Sequence, residues 1–161
     1  MLNINHRALF LKRRAYGDTD KQGELKLIVR KIIIMTFWVM IFTVDKRFLD
    51  EKYTVYHNNK PIERTVKEGV MLAFDYAVRH VGKGPHGLIR MKTGDWNDQA
   101  VYGRVPITQI KTVRREGESM LNSAIAAYAF DIFAKMLEYA NDKEGAKTPY
   151  QWAEDIRQAV D

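Results

Sequence analysis

Residues 119–141 read SMLNSAIAAYAFDIFAKMLEYAN, a run in which apolar residues recur every three to four positions. Leu, Ala and Met fill this run and neither Gly nor Pro interrupts it, so it is predicted to be a long amphipathic helix. Its apolar stripe consists of Leu121, Ala124, Ile125, Tyr128, Ile132, Met136 and Tyr139. The clearest element of the sequence is therefore helical, which favours an all-α fold class.

A second helix is predicted to follow directly. The polar connector Asp142-Lys143-Glu144-Gly145 leads to Thr148-Pro149-Tyr150-Gln151. In this tetrapeptide Thr stands at the cap, Pro at the first helical position and Gln at the third, which is a capping box, so the last helix is predicted to begin there. Its apolar positions are Trp152, Ile156, Ala159 and Val160. Packed on the preceding helix, they would form an antiparallel αα-hairpin.

Upstream, the pattern predicts two further helices and one long loop. Residues 25–48 form an apolar stretch that is predicted to be a helix, although its Ile, Val and Thr content would also suit a strand. After a predicted loop at His57–Pro61, apolar residues recur at helical spacing over residues 62–81, and a glycine follows as a stop signal. Residues 82–116 carry several glycines and little periodicity, so they are predicted to be a long, functional loop.

The composition fits one globular domain. The chain has 161 residues, of which 46% are hydrophobic and 29% charged, and it contains no cysteine. Disulfide scaffolds, Cys-ligated metals and thiol nucleophiles are thereby excluded. Residues 1–24 lack periodicity and are predicted to be an irregular basic segment, with the folded domain spanning residues 25–161. Without cysteine or a recognisable signal peptide, a cytoplasmic location is expected.

The positive charge is concentrated at the N-terminus. Of the formal net charge of +6, residues 1–31 account for +5, because they contain eight Lys and Arg residues and three acidic residues. Such an arm can contact phosphates, but the rest of the chain is nearly neutral, so no nucleic-acid partner is expected. The most apolar stretch, Ile32–Val44, has 13 residues, fewer than the roughly 20 needed to span a bilayer. No membrane partner is expected either.

The chemistry-bearing segment is Gly94-Asp95-Trp96-Asn97-Asp98, inside the predicted loop. An indole face can stack on a pyranose ring while carboxylates and an amide bond its hydroxyls. A carboxylic acid beside an aromatic side chain can have the raised pKa that a general acid needs. The alternative is that the Asp and Asn side chains merely cap turns. The four histidines show no metal-ligand spacing, and no nucleophile elbow or P-loop is present, so no metal site is predicted.

Several motifs of the chain occur in one order. They are Phe48-Leu49-Asp50-Glu51, Thr65-Val66-Lys67-Glu68, His86-Gly87-Leu88, Gly94-Asp95-Trp96-Asn97-Asp98 and Gly117-Glu118-Ser119. Through them the span from residue 48 to residue 161 resembles the catalytic domain of glycoside hydrolase family 94, the inverting disaccharide phosphorylases such as cellobiose and chitobiose phosphorylase. The resemblance implies a six-hairpin (α/α)₆ barrel and a saccharide substrate.

The resemblance also implies roles for individual residues. Asp98 would be the general acid, with Trp96 forming the donor-sugar subsite and Asp95, Asn97 and Glu118 completing the substrate-binding set. Inorganic phosphate would attack the anomeric carbon as co-substrate, so no cofactor is expected. An inverting hydrolase with the same barrel would instead need a second carboxylate about 6.5–9.5 Å away to activate water. Glu118 is the nearby candidate for that base, and Asp95 could instead order the loop.

The sequence departs from the family pattern in several places. Gln99-Ala100 stands where family members often have Gly-Met, and residues 1–31 match no family element. The family's phosphate-binding residues come from segments beyond residue 161, and about four helices are counted against the twelve of a complete barrel. We therefore expect a fragment, a partial barrel with one long active-site loop, that is inactive in isolation. Uncovered helix faces would favour a homo-oligomer.

Two functions of other classes stay open at this level. A non-catalytic carbohydrate-binding helical domain could use Trp96 and Tyr102 as stacking surfaces. A nucleic-acid binder could use the basic segment at the N-terminus, with an affinity that falls steeply with salt.

Overall fold

The computed structural model describes residues 46–57, 60–92 and 103–161, and these residues divide between positions 73 and 74 into two compact units. In these described ranges the chain is mostly helical, with four α-helices and one small antiparallel sheet. The mainly helical prediction is confirmed, but an all-α class leaves out the sheet. Most of the helix predicted over residues 25–48 lies outside the described residues, and its end is a 3₁₀ turn, Lys46–Asp50.

The sheet is a β-hairpin that the sequence analysis did not predict. Strand β1, Lys52–His57, pairs antiparallel with strand β2, Lys60–Thr65, in a register that sets Val55 opposite Ile62. Tyr, Thr and Val in β1 favour the extended conformation. The prediction of a helix beginning at residue 62 was therefore wrong, and the loop predicted at residues 57–61 overlaps the strands at His57, Lys60 and Pro61.

Helix α1, Val66–Tyr76, begins with a capping box. The Thr65 N–H donates to the Glu68 carboxylate at 2.7 Å, and the Glu68 N–H donates to the Thr65 hydroxyl at 3.2 Å. Tyr53 lies over Gly69, where an added Cβ would overlap its hydroxyl, so the missing side chain lets hairpin and helix approach. Burial raises the pKa of Tyr53; nearby Arg64 opposes that rise, and Glu68 adds to it.

The end of α1 agrees with the sequence prediction. Residues Ala77–Val81 widen into a π-helical turn, and the Gly82 N–H donates to the Ala77 carbonyl at 2.9 Å. Gly82 has φ +69°, a left-handed conformation that a residue without Cβ adopts freely.

A short helix interrupts the segment predicted to be one long loop. After a 3₁₀ turn at Ile107–Gln109, helix α2 spans Ile110–Glu116, and the Gly117 N–H closes it on the Val113 carbonyl at 2.8 Å. None of its side chains is buried. The loop prediction failed here because a short, exposed helix has no apolar stripe to reveal it.

Helix α3, Met120–Tyr139, is the long helix predicted from residues 119–141. The predicted stripe is only partly buried, since Leu121 and Tyr128 are exposed by 44% and 54%. The residues that α3 buries are Asn122, Ser123, Ala127, Ala129, Phe130, Ile132, Phe133, Ala134, Met136 and Leu137. By length and composition α3 could cross a bilayer, but so could a core helix of a soluble protein, and about half of α3 is buried in the fold.

Helix α4, Lys143–Val160, packs along α3, which confirms the αα-hairpin. It begins earlier than predicted, because the Asp142 carboxylate accepts the Gly145 N–H at 3.0 Å and caps it. Pro149 lies inside the helix, and its side chain is fully buried. The capping box predicted at Thr148 was therefore wrong.

The core of the second unit joins the hairpin of α3 and α4 to the loop that follows α1. Its buried members are Ile89, Ala127, Phe130, Ala153 and Ile156. Phe130 meets the ring of Phe74 edge-on at 5.0 Å and that of Trp152 at 6.3 Å. Since Ile89 belongs to this cluster, the loop carrying it is fixed against α3 and α4.

Candidate functional site

The predicted substrate-binding motif lies outside the described residues. These residues are Asp95, Trp96, Asn97 and Asp98, so their predicted roles stay predictions. The segments on either side are described, and two motifs quoted from the sequence, His86-Gly87-Leu88 and Gly117-Glu118-Ser119, meet there.

Glu118 is the centre of this meeting point. Its side chain is only 8% exposed. One carboxylate oxygen, Oε1, accepts the backbone N–H groups of His86 at 3.2 Å and Leu88 at 3.1 Å. The other, Oε2, lies 2.5 Å from the His86 Nδ1 atom. Both oxygens are thus engaged by the protein, while the imidazole itself is 79% exposed.

The backbone turn around this carboxylate depends on two glycines. At Gly84 a Cβ would overlap the Glu118 side chain, so only glycine lets the turn close on the carboxylate. The turn is held by the Gly84 N–H, which donates to the Leu88 carbonyl at 2.8 Å, and by the Gly87 N–H, which donates to the Gly84 carbonyl at 3.1 Å. Gly87 has φ +82°. We call residues 84–88 and the Glu118 side chain the Glu118 clasp.

Backbone pairing continues the clasp along the chain. Met91 donates its N–H to the Gly117 carbonyl at 2.7 Å, and Ser119 donates to the Ile89 carbonyl at 2.9 Å. The Ser123 hydroxyl accepts the Ile89 N–H at 2.9 Å and donates to the Ser119 carbonyl at 2.7 Å. Residues 89–91 are therefore fixed in register against the start of α3.

A second connection ties the same loop to α4. The Lys83 ammonium lies 2.6 Å from the Asp155 carboxylate and 4.5 Å from the centre of the Trp152 ring. Hydrogen bonds from Lys83 and then from Gln151 lower the pKa of Asp155, against a smaller opposing effect of burial. These side chains are about one-quarter to one-third exposed, so the pair is partly shielded from solvent.

Sequence reasoning missed two polar residues of this region. Asn122, in the first turn of α3, is 1% exposed, and its side-chain amide has no hydrogen-bond partner among the described residues. The Nε atom of Arg90 is likewise buried without a partner in the described part of the chain. Such groups are costly to leave unsatisfied when they are buried.

His86 and Glu118 stand 32 residues apart, and no spacing rule predicts their contact. The signal that could have found it is their presence in two of the quoted motifs. Among the residues that the structure describes, no group of three His, Asp or Glu side chains could hold a metal ion.

Comparison with protein-family models identifies the family of the chain. The catalytic-domain model of the glycosyl hydrolase 94 superfamily matches residues 11–161. The chain belongs to this family. No curated protein and no solved structure matched the chain in the corresponding comparisons. The family match begins at residue 11, well before the resemblance that starts at Phe48, so it includes much of the basic N-terminal segment.

Membership in family 94 makes the chain part of a carbohydrate-active enzyme. The Glu118 clasp then lies in a catalytic domain, and its turn, residues 84–88, precedes in sequence the motif that carries the predicted acid.

Proposed function

We propose that this family 94 domain serves the inverting phosphorolysis of a disaccharide or oligosaccharide, with Asp98 as the general acid. In this reaction Asp98 donates its proton to the glycosidic oxygen as the bond from that oxygen to the anomeric carbon breaks. A phosphate oxygen forms the new bond to the anomeric carbon from the opposite face. The products are a sugar 1-phosphate and the released saccharide, and Asp98 regains its proton from solvent.

The observation that carries this proposal is the state of the Glu118 carboxylate. An inverting hydrolase needs a second carboxylate that is free to take a proton from water. Glu118 is the candidate for that base, but it is 8% exposed and both of its oxygens are bonded to residues 86 and 88. Because both oxygens already accept hydrogen bonds from the protein, this carboxylate is not free to bind the attacking water. Phosphorolysis needs no such base, because phosphate is itself the nucleophile.

The remaining site assignments belong to the same proposal. Trp96 stacks on the donor sugar, and Asp95 and Asn97 bond its hydroxyls. The partner is a saccharide, with phosphate as co-substrate and without a metal. The complete site requires an (α/α)₆ barrel whose phosphate-binding residues the resemblance places outside these 161 residues. The chain alone is therefore expected to turn over little substrate and to self-associate.

The test is an assay for phosphate-dependent release of sugar 1-phosphate from a panel of β-linked disaccharides. It is run on the 161-residue chain and on a longer version that includes the downstream helices. Activity in the longer version alone, lost in Asp98→Asn, is expected. The matched control is Asp75→Asn, an exposed aspartate paired with Arg79 at 2.5 Å, which should leave turnover unchanged. Full turnover in Asp98→Asn would refute the assigned role.

The two other functions give different results in the same assay. Release of free sugar without phosphate would identify a hydrolase. Saccharide binding without any turnover, retained in Asp98→Ala, would identify a non-catalytic carbohydrate-binding domain.

A further inference from the structure

The Glu118 carboxylate is buried, with its side chain only 8% exposed. Removing a carboxylate from water is costly unless donors replace the water. Here two backbone N–H groups and one imidazole nitrogen do so, all from residues 86–88. Gly84 leaves the room that this arrangement needs. Burial alone could be achieved by an apolar side chain, so the carboxylate fixes the path of the turn rather than merely filling space.

The chain leaves this fixed region in a disfavoured conformation. Residues 89–91 are held in register against residues 117–119, and Lys92 follows with φ +49°. A left-handed conformation is unfavourable for a residue with a side chain, and it persists only where surrounding contacts impose it. The backbone hydrogen bond from Met91 to Gly117 immediately precedes this residue. Two residues later the sequence reaches Gly94, the first residue of the motif.

We propose that Glu118 and His86 are positioning residues, which set the direction in which the chain enters the Gly94–Asp98 motif without touching the saccharide. This inference rests on the proposed function, in which Asp98 must lie within hydrogen-bonding reach of the glycosidic oxygen. A displacement of about 1 Å at such a group can cost on the order of 100-fold in rate. The clasp acts through the backbone between it and the motif.

The kinetic test separates positioning from direct contact. Glu118→Gln removes the charge and replaces one of the two accepting oxygens by an amide NH2, so the clasp loses one of its contacts. In the form of the enzyme that turns over saccharide, it should lower kcat by about 10–100-fold while KM for the saccharide changes less than about 2-fold. The matched control is Glu116→Gln, two residues earlier, whose exposed carboxylate pairs with Arg115. It should leave both constants unchanged. A rise in KM at constant kcat would show that Glu118 binds the saccharide directly, and would overturn the proposal.

His86 provides a second variant, whose exposed imidazole can be replaced without leaving a cavity in the core. His86→Ala keeps the backbone N–H but removes the contact to Oε2, so kcat should fall by less than in Glu118→Gln. An Asn side chain can place an amide donor where Nδ1 lies, so His86→Asn should recover part of the loss. Equal activity in all His86 variants and the wild type would remove His86 from the proposal.

An independent readout is hydrogen exchange of the 161-residue chain, followed by mass spectrometry. Glu118→Gln should speed exchange in peptides covering residues 84–92 and leave peptides from α4 unchanged, whereas Glu116→Gln should change neither. Unchanged exchange in Glu118→Gln would overturn the proposal whatever the enzyme assay gives. Faster exchange together with no phosphorolysis by any form of the wild type would refute the proposed function but support the clasp.

Discussion

The start of helix α4 gives a direct test of the structure against the sequence pattern. The structure caps α4 with Asp142, whose carboxylate accepts the Gly145 N–H at 3.0 Å, whereas the capping-box pattern placed the cap at Thr148. Replacing an N-cap residue by alanine costs about 1 kcal/mol, within a range of about 0.5–2 kcal/mol. Asp142→Ala should therefore destabilise the chain by about that amount, and Thr148→Ala, on the exposed side of the helix, should change little.

A second variant separates the hydrogen bond of the Asp142 cap from the effect of its charge. Asp142→Asn keeps an oxygen that accepts the Gly145 N–H and loses the favourable charge at the helix N-terminus, which contributes about 0.3–1 kcal/mol. For a chain of this size, 1 kcal/mol lowers Tm by roughly 2–4 °C. Thermal unfolding followed by circular dichroism, with urea unfolding for the free energy, measures all three variants. A loss of stability in Thr148→Ala that exceeds the loss in Asp142→Ala would refute the structural assignment.

Three further predictions concern described contacts. The pKa of Asp155 is lowered in the folded chain, chiefly by Lys83. The pair should therefore stabilise the fold fully above about pH 4, the pKa of an aspartate in the unfolded chain, and this stabilisation should be lost as pH falls through the lower pKa of the folded chain. Urea unfolding against pH should show this loss in the wild type and a weaker dependence in Lys83→Ala. Burial, then the hydrogen bond to Glu138, raises the pKa of Tyr150 to about 12, so ultraviolet titration should show a late-ionising tyrosine that is absent in Tyr150→Phe. Stability should fall as pH rises from about 10 towards 12. Gly69→Ala should cost about 1–3 kcal/mol in urea unfolding, because its Cβ would meet a tyrosine hydroxyl; an unchanged midpoint would contradict the close approach.

The parts of the fold that the sequence predicted well are those in which local periodicity and packing agree. Helix α3 and its antiparallel partner α4 were predicted because an uninterrupted three-to-four spacing of apolar residues is typical of a helix that buries one face. The exposed part of the predicted stripe shows the limit of that reasoning. Leu121 and Tyr128 share a face with apolar residues, but which face is covered depends on where the partner helix and the loop lie.

The β-hairpin was missed because one residue fitted two patterns. Ile62 lies four positions before Val66, so the helical spacing was extended to it, although it pairs with Val55 in a strand. The signals for the correct boundary were present in Thr65 and Glu68, which fit the Ser/Thr-x-x-Glu capping signature. Pairing between strands is a contact between separate segments, and single-segment periodicity does not register it.

The candidate site, too, could be predicted from the sequence only in part. The motif at residues 94–98 could be singled out from residue types, because an indole with carboxylates suits a sugar. The role of Glu118 could not, since its partners lie 30 and 32 residues away and meet it only after the turn has closed. A glycine that leaves room for a neighbour and a glycine in a left-handed turn look alike in a sequence, yet Gly84 makes room for a carboxylate and Gly87 reverses the chain.

Apolar and polar anchors constrain a loop differently, and this loop has both. Ile89 is buried in the core, but hydrophobic burial is not directional, and a small shift of the backbone would cost it little. The Glu118 carboxylate requires its donors within hydrogen-bonding distance and in the correct direction, so a shift of about 1 Å would break its contacts. The Glu118 clasp therefore fixes the direction of the loop backbone, whereas the burial of Ile89 attaches the loop to the core. If Asp98 is the general acid, as proposed, orientation would matter more to it than attachment, because proton transfer depends on distance and angle at the glycosidic oxygen.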